Sequence, residues 1–167
     1  MIATLILLTQ LQFISVQSHV PFIIDSTNSC IFPLSKANEW RVSGVPVKSA
    51  NLSAEELELI SSLLQSSMTL YREEFYDRKS PDYNEMINFN FDSYINSILS
   101  KYSYQLVPFI DVYGNKQVWI NCVYNGSYQD WLYNGIPWIN DGGDLYFNFM
   151  IDLSKSSFYN FRINGGA

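Results

Sequence analysis

The chain has 167 residues, of which 47% are hydrophobic and 16% are aromatic, and its formal net charge is −6. This length is that of one ordinary domain, and the apolar and aromatic content is typical of a folded, β-rich chain, which excludes intrinsic disorder. Its ten basic residues are scattered along the sequence. Binding to a nucleic-acid backbone draws on clustered Lys and Arg, so the composition argues against a nucleic-acid partner.

The N-terminus has the pattern of an export signal. An early apolar run is followed by Val16 and Ser18, which occupy the −3 and −1 positions of a signal-peptidase site. The alternative is an apolar N-terminal strand or helix of the mature fold. The apolar run is too short to remain as a membrane span. The sequence therefore predicts a signal peptide at 1–18, a single domain at 19–167, and a secreted or periplasmic location.

The two cysteines are Cys30 and Cys122. In an oxidising compartment they could form a disulfide that closes a loop of about 90 residues and stabilises the fold by about 4 kcal/mol in the chain-entropy model. The alternative is that Cys122, which lies in the apolar run VWINCVY, is a small buried side chain with a free thiol. The sequence leaves both interpretations open.

The clearest helix signal begins at Ser53. Ser53 and Glu56 match a capping box, in which each side chain accepts a hydrogen bond from the other residue's backbone N–H. Apolar residues then recur every three or four positions, which predicts one buried stripe; they are Leu57, Ile60, Leu64, Met68, Tyr71 and Phe75. A shorter helix is predicted after Asp92, its N-cap, with an apolar face of Ile95, Ile98, Leu99 and Tyr102.

After the second helix the hydrophobic period changes to two, which indicates strands. A hairpin is predicted to turn at Gly114 and Asn115, and a later strand alternates apolar residues from Leu145 to Leu153. A last strand is predicted from Phe158 to Ile163, and the short apolar runs VPFII and WRVSGVPV predict further strands near the N-terminus. The predicted fold class is α+β, with helices on one face of an antiparallel sheet of at least four strands.

A helix followed by hairpins is similar to the cystatin arrangement, and the tripeptide Ile136-Pro137-Trp138 resembles a cystatin loop. The inhibitory Gln-x-Val-x-Gly signature of cystatins is missing. The similarity therefore concerns architecture and implies no inhibitory residue.

The C-terminal part of the chain, 104–167, resembles a family of small exported bacterial proteins. The resemblance rests on Gly114, Lys116, Val118 to Cys122, Asp141 to Gly143, Tyr146 to Asn148, Asn164, Gly165 and Ala167. Members of that family tend to carry Cys at the position of Leu145, so this chain departs from the pattern there. The resemblance implies an exported, single-domain protein and supplies no catalytic residue.

The segment Asp141-Gly142-Gly143-Asp144 has two interpretations. As a turn, it uses the glycines for backbone angles that other residues resist and leads into a strand. As a metal site, Asp141 and Asp144 together with Asn140 offer the oxygen ligands that Ca²⁺ prefers, although their spacing does not match an EF-hand. The turn interpretation is favoured, and no cofactor is predicted.

The long polar connection before this segment carries aromatic residues. Together with Trp119 of the predicted hairpin, Trp131, Tyr133 and Trp138 could form a stacking platform for a sugar or a peptide. Asp141 could take part in the same role. The alternative is that these side chains anchor the connection on the protein core. Long connections are often functional, which makes this the best binding candidate in the sequence.

Catalytic chemistry has few residues available. The single histidine, His19, would be the first residue of the mature chain, which is a poor place for a rigid general base. The sequence therefore favours an exported, non-catalytic binding or accessory protein with an unknown protein, peptide or carbohydrate ligand. The alternatives are a small hydrolase that uses Asp residues of the long connection, and a cystatin-like inhibitor.

Overall fold

The computed structural model describes residues 22–37, 46–70, 91–125, 135–136 and 143–164, with the backbone alone for 91–94, 143, 144 and 164. These ranges contain six strands: β1 (Ser29–Ile31), β2 (Pro46–Ser49), β3 (Tyr102–Asp111), β4 (Lys116–Tyr124), β5 (Gly143–Asp152) and β6 (Ser157–Asn164). They also contain the helices α1 (Ala54–Leu70) and α2 (Phe91–Leu99) and a 3₁₀ turn (Leu34–Lys36). No helix in the described ranges is both long enough and apolar enough to cross a membrane.

The six strands form one mixed sheet in the order β1-β3-β4-β5-β6, and β2 also pairs with β3. Strands β2 to β6 pair in antiparallel fashion, whereas β1 is parallel to β3. The predicted α+β class with at least four strands is confirmed, but a wholly antiparallel sheet is wrong. A parallel pair needs a long crossover, and the connection from β1 to β3 supplies it because it carries β2 and both helices.

One hydrophobic cluster contains buried side chains of both helices and of one face of the sheet, which we call the helix-side face. The helices contribute Ile60, Leu64, Met68, Ile95 and Leu99, and the strands contribute Tyr102, Tyr104, Leu106, Val118, Ile120, Cys122, Phe147, Phe149 and Ile151. The alternation predicted for β5 places three of these side chains at 0% exposure. Leu145 is an exception at 41% exposure, because it lies where the β5–β6 pairing is irregular.

The predicted capping box is present at the start of α1. The backbone N–H of Ser53 donates to Glu56 Oε2 at 2.8 Å, and the backbone N–H of Glu56 donates to Ser53 Oγ at 3.3 Å. The Glu56 carboxylate also forms an ion pair with Lys116 Nζ at 2.6 Å. The cap therefore connects the start of α1 to the start of β4.

The second helix is shorter than the sequence pattern predicts. It begins at Phe91, so Asp92 lies inside it, and it ends at Leu99, so Tyr102 is the first residue of β3. A tight turn, in which the Lys101 N–H donates to the Ile98 carbonyl at 2.8 Å, leads directly into the strand. Tyr102 is still buried because β3 begins against the same core.

The strand predicted near the N-terminus is displaced along the chain. Residues 22–25 are not in a strand, and β1 begins at Ser29. The cause is local, since the Asp25 carboxylate accepts hydrogen bonds from the backbone N–H and the hydroxyl of Thr27 at 2.7 and 2.6 Å. Such side-chain bonds give the backbone an alternative to a sheet ladder.

The structure has Cys30 and Cys122 as free thiols, so the disulfide alternative is not realised in it. Cys30 pairs with Gln105 across β1 and β3, whereas Cys122 pairs with Tyr104 across β3 and β4. Neighbouring positions of a strand point to opposite faces, so the two thiols lie on opposite faces with β3 between them. A bridge requires Cβ atoms about 4 Å apart, which this arrangement does not allow.

Candidate functional site

Apart from Trp119, the residues singled out from the sequence for binding have side chains that lie outside the described part of the chain. This holds for Trp131, Tyr133, Trp138 and Asp141, and for Asp144 the backbone alone is described, within β5. The stacking platform and the Ca²⁺ site therefore remain predictions. Within the described ranges, no group of three or more His, Cys, Asp or Glu side chains could hold a metal ion.

The sheet face opposite the helices, which we call the loop-side face, has its own apolar cluster. Its buried members are Phe32, Ala37, Val107, Phe109, Trp119 and Met150, and Leu34, Cys30 and Ile136 pack against them. Trp119 is only 3% exposed, so it belongs to this core and does not take part in an exposed platform.

A row of mostly polar residues crosses the loop-side face from one edge of the sheet to the other. Cross-strand pairing joins Cys30, Gln105, Asn121, Asn148 and Arg162 in that order, one residue from each of five strands. We call this set the polar row. Its burial changes along its length, from fully buried at Gln105 through half-buried at Asn148 to exposed at Arg162.

The buried part of the polar row holds the long connection between β4 and β5. Asn121 Nδ2 donates to Gln105 Oε1 at 2.8 Å, and Gln105 Nε2 donates to the Gly135 carbonyl at 2.9 Å. The next residue, Ile136, packs against the loop-side cluster. Gly135 has φ of 134°, which side chains rarely allow, so glycine is needed at this anchor. The middle of the connection therefore lies on the loop-side face.

A second polar group lies at the end of the same face, around Gln117. Its Nε2 donates to Asp111 Oδ2 at 3.3 Å, and its Oε1 accepts from the Tyr159 hydroxyl at 3.1 Å. Asp152, with a side chain only 4% exposed, pairs with Lys155 Nζ at 2.8 Å. These contacts join the β3–β4 and β5–β6 hairpins.

Both carboxyl groups near Gln117 are held in the ionised form. Burial acts to raise the pKa of Asp152, but hydrogen bonds from Lys155 and Gln117 outweigh it, so the pKa is lowered. The pKa of Asp111 is also lowered, because hydrogen bonds from Asn115, Tyr113 and Gln117 outweigh its desolvation. Neither group is therefore poised as a general acid near neutral pH.

The thiols are equally unsuited to nucleophilic chemistry. Burial raises the pKa of Cys122 well above its usual value and also raises that of Cys30. A reactive cysteine needs a lowered pKa, because the thiolate is the nucleophile. The arrangement in the described part of the chain can form hydrogen bonds and van der Waals contacts with a ligand, but it lacks an activated nucleophile.

The β3–β4 hairpin presents two exposed apolar residues on a rigid turn. Asp111 Oδ1 accepts from the backbone N–H groups of Tyr113 and Asn115, each at 2.9 Å. Gly114, with φ of 85°, closes the turn where the sequence predicted it. Val112 is 50% exposed and Tyr113 is 86% exposed.

The polar row is not apparent from any one strand taken by itself. Gln105, Asn121 and Asn148 each stand as a single amide within an aromatic or apolar strand pattern. What could have revealed the row is that three successive strands each carry one amide, and pairing of neighbouring strands can place the three amides side by side.

No family model, curated protein or solved structure matches this chain.

Proposed function

We propose that the protein is a non-catalytic binding protein whose ligand surface is the exposed end of the loop-side face together with the connection 126–142. The observation that carries this proposal is the hydrogen bond from Gln105 Nε2 to the Gly135 carbonyl. It attaches the middle of the aromatic-rich connection to a buried amide pair. A rigid support of this kind lowers the entropy cost of ligand binding by an otherwise long loop.

The chemistry of the described residues favours binding over catalysis. Both carboxyl groups of the sheet face are ionised and bonded, and both thiols have raised pKa values. Other polar groups on this face are amides, and the aromatic ring of Tyr159 lies beside them. Amides both donate and accept hydrogen bonds, and aromatic rings supply contact area.

We assign the ligand to the saccharides. Sugar hydroxyl groups are matched by amide side chains such as Asn148, and sugar rings stack on aromatic side chains such as those at Trp131 and Trp138. A peptide ligand would use the same aromatic residues and is the outcome that would change this assignment.

Affinity electrophoresis tests the proposal. The purified chain is run in native gels that contain a soluble neutral polysaccharide or a uronic-acid polysaccharide, and its mobility is compared with that in a plain gel. Retardation is expected in at least one polysaccharide gel and should be lost in the double variant Trp131→Ala, Trp138→Ala. The control is Leu70→Ala, which removes an apolar side chain that is 67% exposed at the end of α1. If the parent migrates equally in every gel but binds members of a peptide library, the ligand is a peptide and not a saccharide.

The alternative of a small hydrolase depends on Asp130 and Asp141, which lie in the connection outside the described ranges. It predicts turnover of the bound saccharide. Incubation of the parent with the retarding polysaccharide should leave its chain length unchanged. Shortening that is abolished by Asp141→Asn would establish the hydrolase instead.

The rigid hairpin supports a second candidate function, that of an inhibitor with a cystatin-like arrangement. Tyr113 is exposed on a turn whose conformation is already set by Asp111, which is the preorganised geometry that protein recognition uses. This candidate predicts inhibition of a papain-type cysteine protease that is weakened by Tyr113→Ala. Full protease activity at high micromolar concentrations of the parent would exclude it.

We also propose export, with cleavage before His19 and a secreted or periplasmic location, and membership of the exported bacterial family that residues 104–167 resemble. N-terminal sequencing of protein from the native host tests the first part. A mature chain that begins at His19 is expected, and an intact Met1 would contradict export by this signal.

A further inference from the structure

We propose that the exposed end of the polar row is a carboxylate-binding subsite, formed by the Arg162 guanidinium and the Asn148 carboxamide beside the ring of Tyr159. This inference rests on the proposed function and narrows it, because it selects acidic saccharides, those that contain uronic acid, as the ligand class.

A bulge in β6 determines which side chains reach the loop-side face. On β5, Asn148 and Met150 are two residues apart, whereas their partners Arg162 and Tyr159 are three residues apart. The extra residue is Asn160, which has φ of 52°. Bulges of this kind redirect side chains and are common next to functional sites.

Without the bulge, the face of Arg162 would be reversed. Phe158 packs on the helix side, so strict alternation from it would turn Phe161 to the loop side and Arg162 toward the helices. In the structure, Phe161 instead packs against Phe147 on the helix side, with ring centroids 5.7 Å apart. The bulge therefore keeps the aromatic core intact and places Arg162 beside Asn148.

Arg162 has no ion pair within the described part of the chain, whereas Lys116 and Lys155 are each paired with a carboxylate. An unpaired guanidinium offers a planar set of donors that fits a carboxylate with two parallel hydrogen bonds. The chain as a whole is negatively charged, but salt screens that repulsion beyond about 8 Å at physiological ionic strength. Local contacts at Arg162 therefore decide the binding of an anionic group.

Tyr159 completes one wall of the subsite. Its hydroxyl is held by Gln117 Oε1, which orients the ring, and the residue is 36% exposed at the next position of the loop-side face. A partly exposed and oriented ring suits stacking against a sugar. The three side chains thus combine charge, hydrogen bonding and ring contact.

The first test is independent of polysaccharide binding. The Nε–H resonances of ¹⁵N-labelled protein are followed during titration with sodium glucuronate and, separately, with glucose. The Arg162 resonance should move with glucuronate alone, and the sequence supplies Arg41, Arg72 and Arg78 as internal controls. The subsite is overturned if the Arg162 resonance does not shift, or if the resonances of all four arginines shift equally. If the Arg162 resonance shifts but the chain is not retarded in any polysaccharide gel, the subsite is supported and the proposed function is rejected.

The second test compares oligogalacturonate with its methyl ester, which has the same ring but no charge. The parent should bind the acid about tenfold more tightly than the ester, which is the scale of a charge-assisted contact. Arg162→Gln should abolish this preference while leaving ester binding unchanged, and Arg162→Lys should retain part of it.

The control is Lys48→Gln, which makes the same change of charge at an exposed position of β2. Lys48→Gln should leave the preference for the acid intact. If both Lys48→Gln and Arg162→Gln lose the preference equally, the preference comes from net charge alone and the proposal is overturned. Asn160→Gly should also keep the preference, because glycine tolerates the positive φ of the bulge. Loss of the preference in a folded Asn160→Gly variant would argue against the bulge as its cause.

Discussion

The two faces of the sheet bury their side chains by different means. The helix-side face contains a large cluster of aliphatic and aromatic residues contributed by α1, α2 and three central strands. The loop-side face alternates a smaller apolar cluster with amides and carboxylates that are satisfied by hydrogen bonds. Buried apolar side chains stabilise the fold in proportion to the area they remove from water. Buried polar groups stabilise it only if their hydrogen-bond partners remain in place. The stability of the helix-side face therefore depends on buried area, whereas that of the loop-side face depends on specific partners.

The largest effect is expected on the helix-side face. Phe147→Ala should lower the free energy of unfolding by about 3–5 kcal/mol, because it leaves a cavity in a fully buried cluster. Leu145→Ala, on the same strand but at a position that is 41% exposed, is the matched control and should cost less than about 1 kcal/mol. Urea unfolding measures both values. Similar losses in the two variants would contradict the assignment of the core to the inner part of β5.

A smaller loss is expected from the buried amides of the loop-side face. Gln105→Ala should cost about 1–3 kcal/mol, because Asn121 Nδ2 and the Gly135 carbonyl lose their partner. A double-mutant cycle with Asn121→Ala in urea should give a coupling of about 0.5–3 kcal/mol. Additive losses would mean that the two amides act independently and that the polar row is not one network.

The carboxylates of the loop-side face should make stability depend on pH. Burial acts to raise the pKa of Asp152, but its bonds to Lys155 and Gln117 leave that pKa below the ordinary value of 3.8. A lowered folded pKa contributes stability that is complete above the unfolded value and is lost as the pH falls through the folded value. Asp152→Asn should therefore flatten the decline in unfolding free energy below about pH 4.

Lys155→Gln should reproduce much of this flattening, because it removes the same ion pair. Thermal unfolding of the parent and both variants between neutral pH and pH 2 provides the comparison. Profiles that superimpose over the whole range would show that the Asp152–Lys155 pair does not link stability to pH.

The smallest effect concerns the thiols, which lie on opposite faces. Two thiols should titrate in the unfolded, unreduced protein, and dithiothreitol should leave the melting temperature unchanged, because no disulfide is present to reduce. In the native state Cys30, which is partly exposed, should react with a thiol reagent before the fully buried Cys122. A melting temperature that falls on reduction would restore the disulfide alternative.

Local patterns in the sequence predicted the parts of the fold that depend on near neighbours. The capping box at Ser53 and Glu56 and the turn at Gly114 are present as predicted. Errors occurred where side chains compete with a regular element, as at Asp25, or where one element follows another without a spacer, as at Tyr102. The aromatic residues proposed for binding, Trp131, Tyr133 and Trp138, lie outside the described residues and stay a prediction, whereas the polar row emerged only from strand pairing.

The sequence by itself determined the α+β class, the main helix and its cap, the central hairpin and the apolar alternation of β5, because each depends on backbone periodicity and on residues a few positions apart. Tertiary structure alone decided the parallel pairing of β1, the separation of Cys30 from Cys122 and the alignment of the polar row. Those features depend on the register between strands that are distant in the chain. A single extra residue in one strand, such as Asn160 in β6, changes which side chains share a face, and such a shift is visible only once the strands are paired.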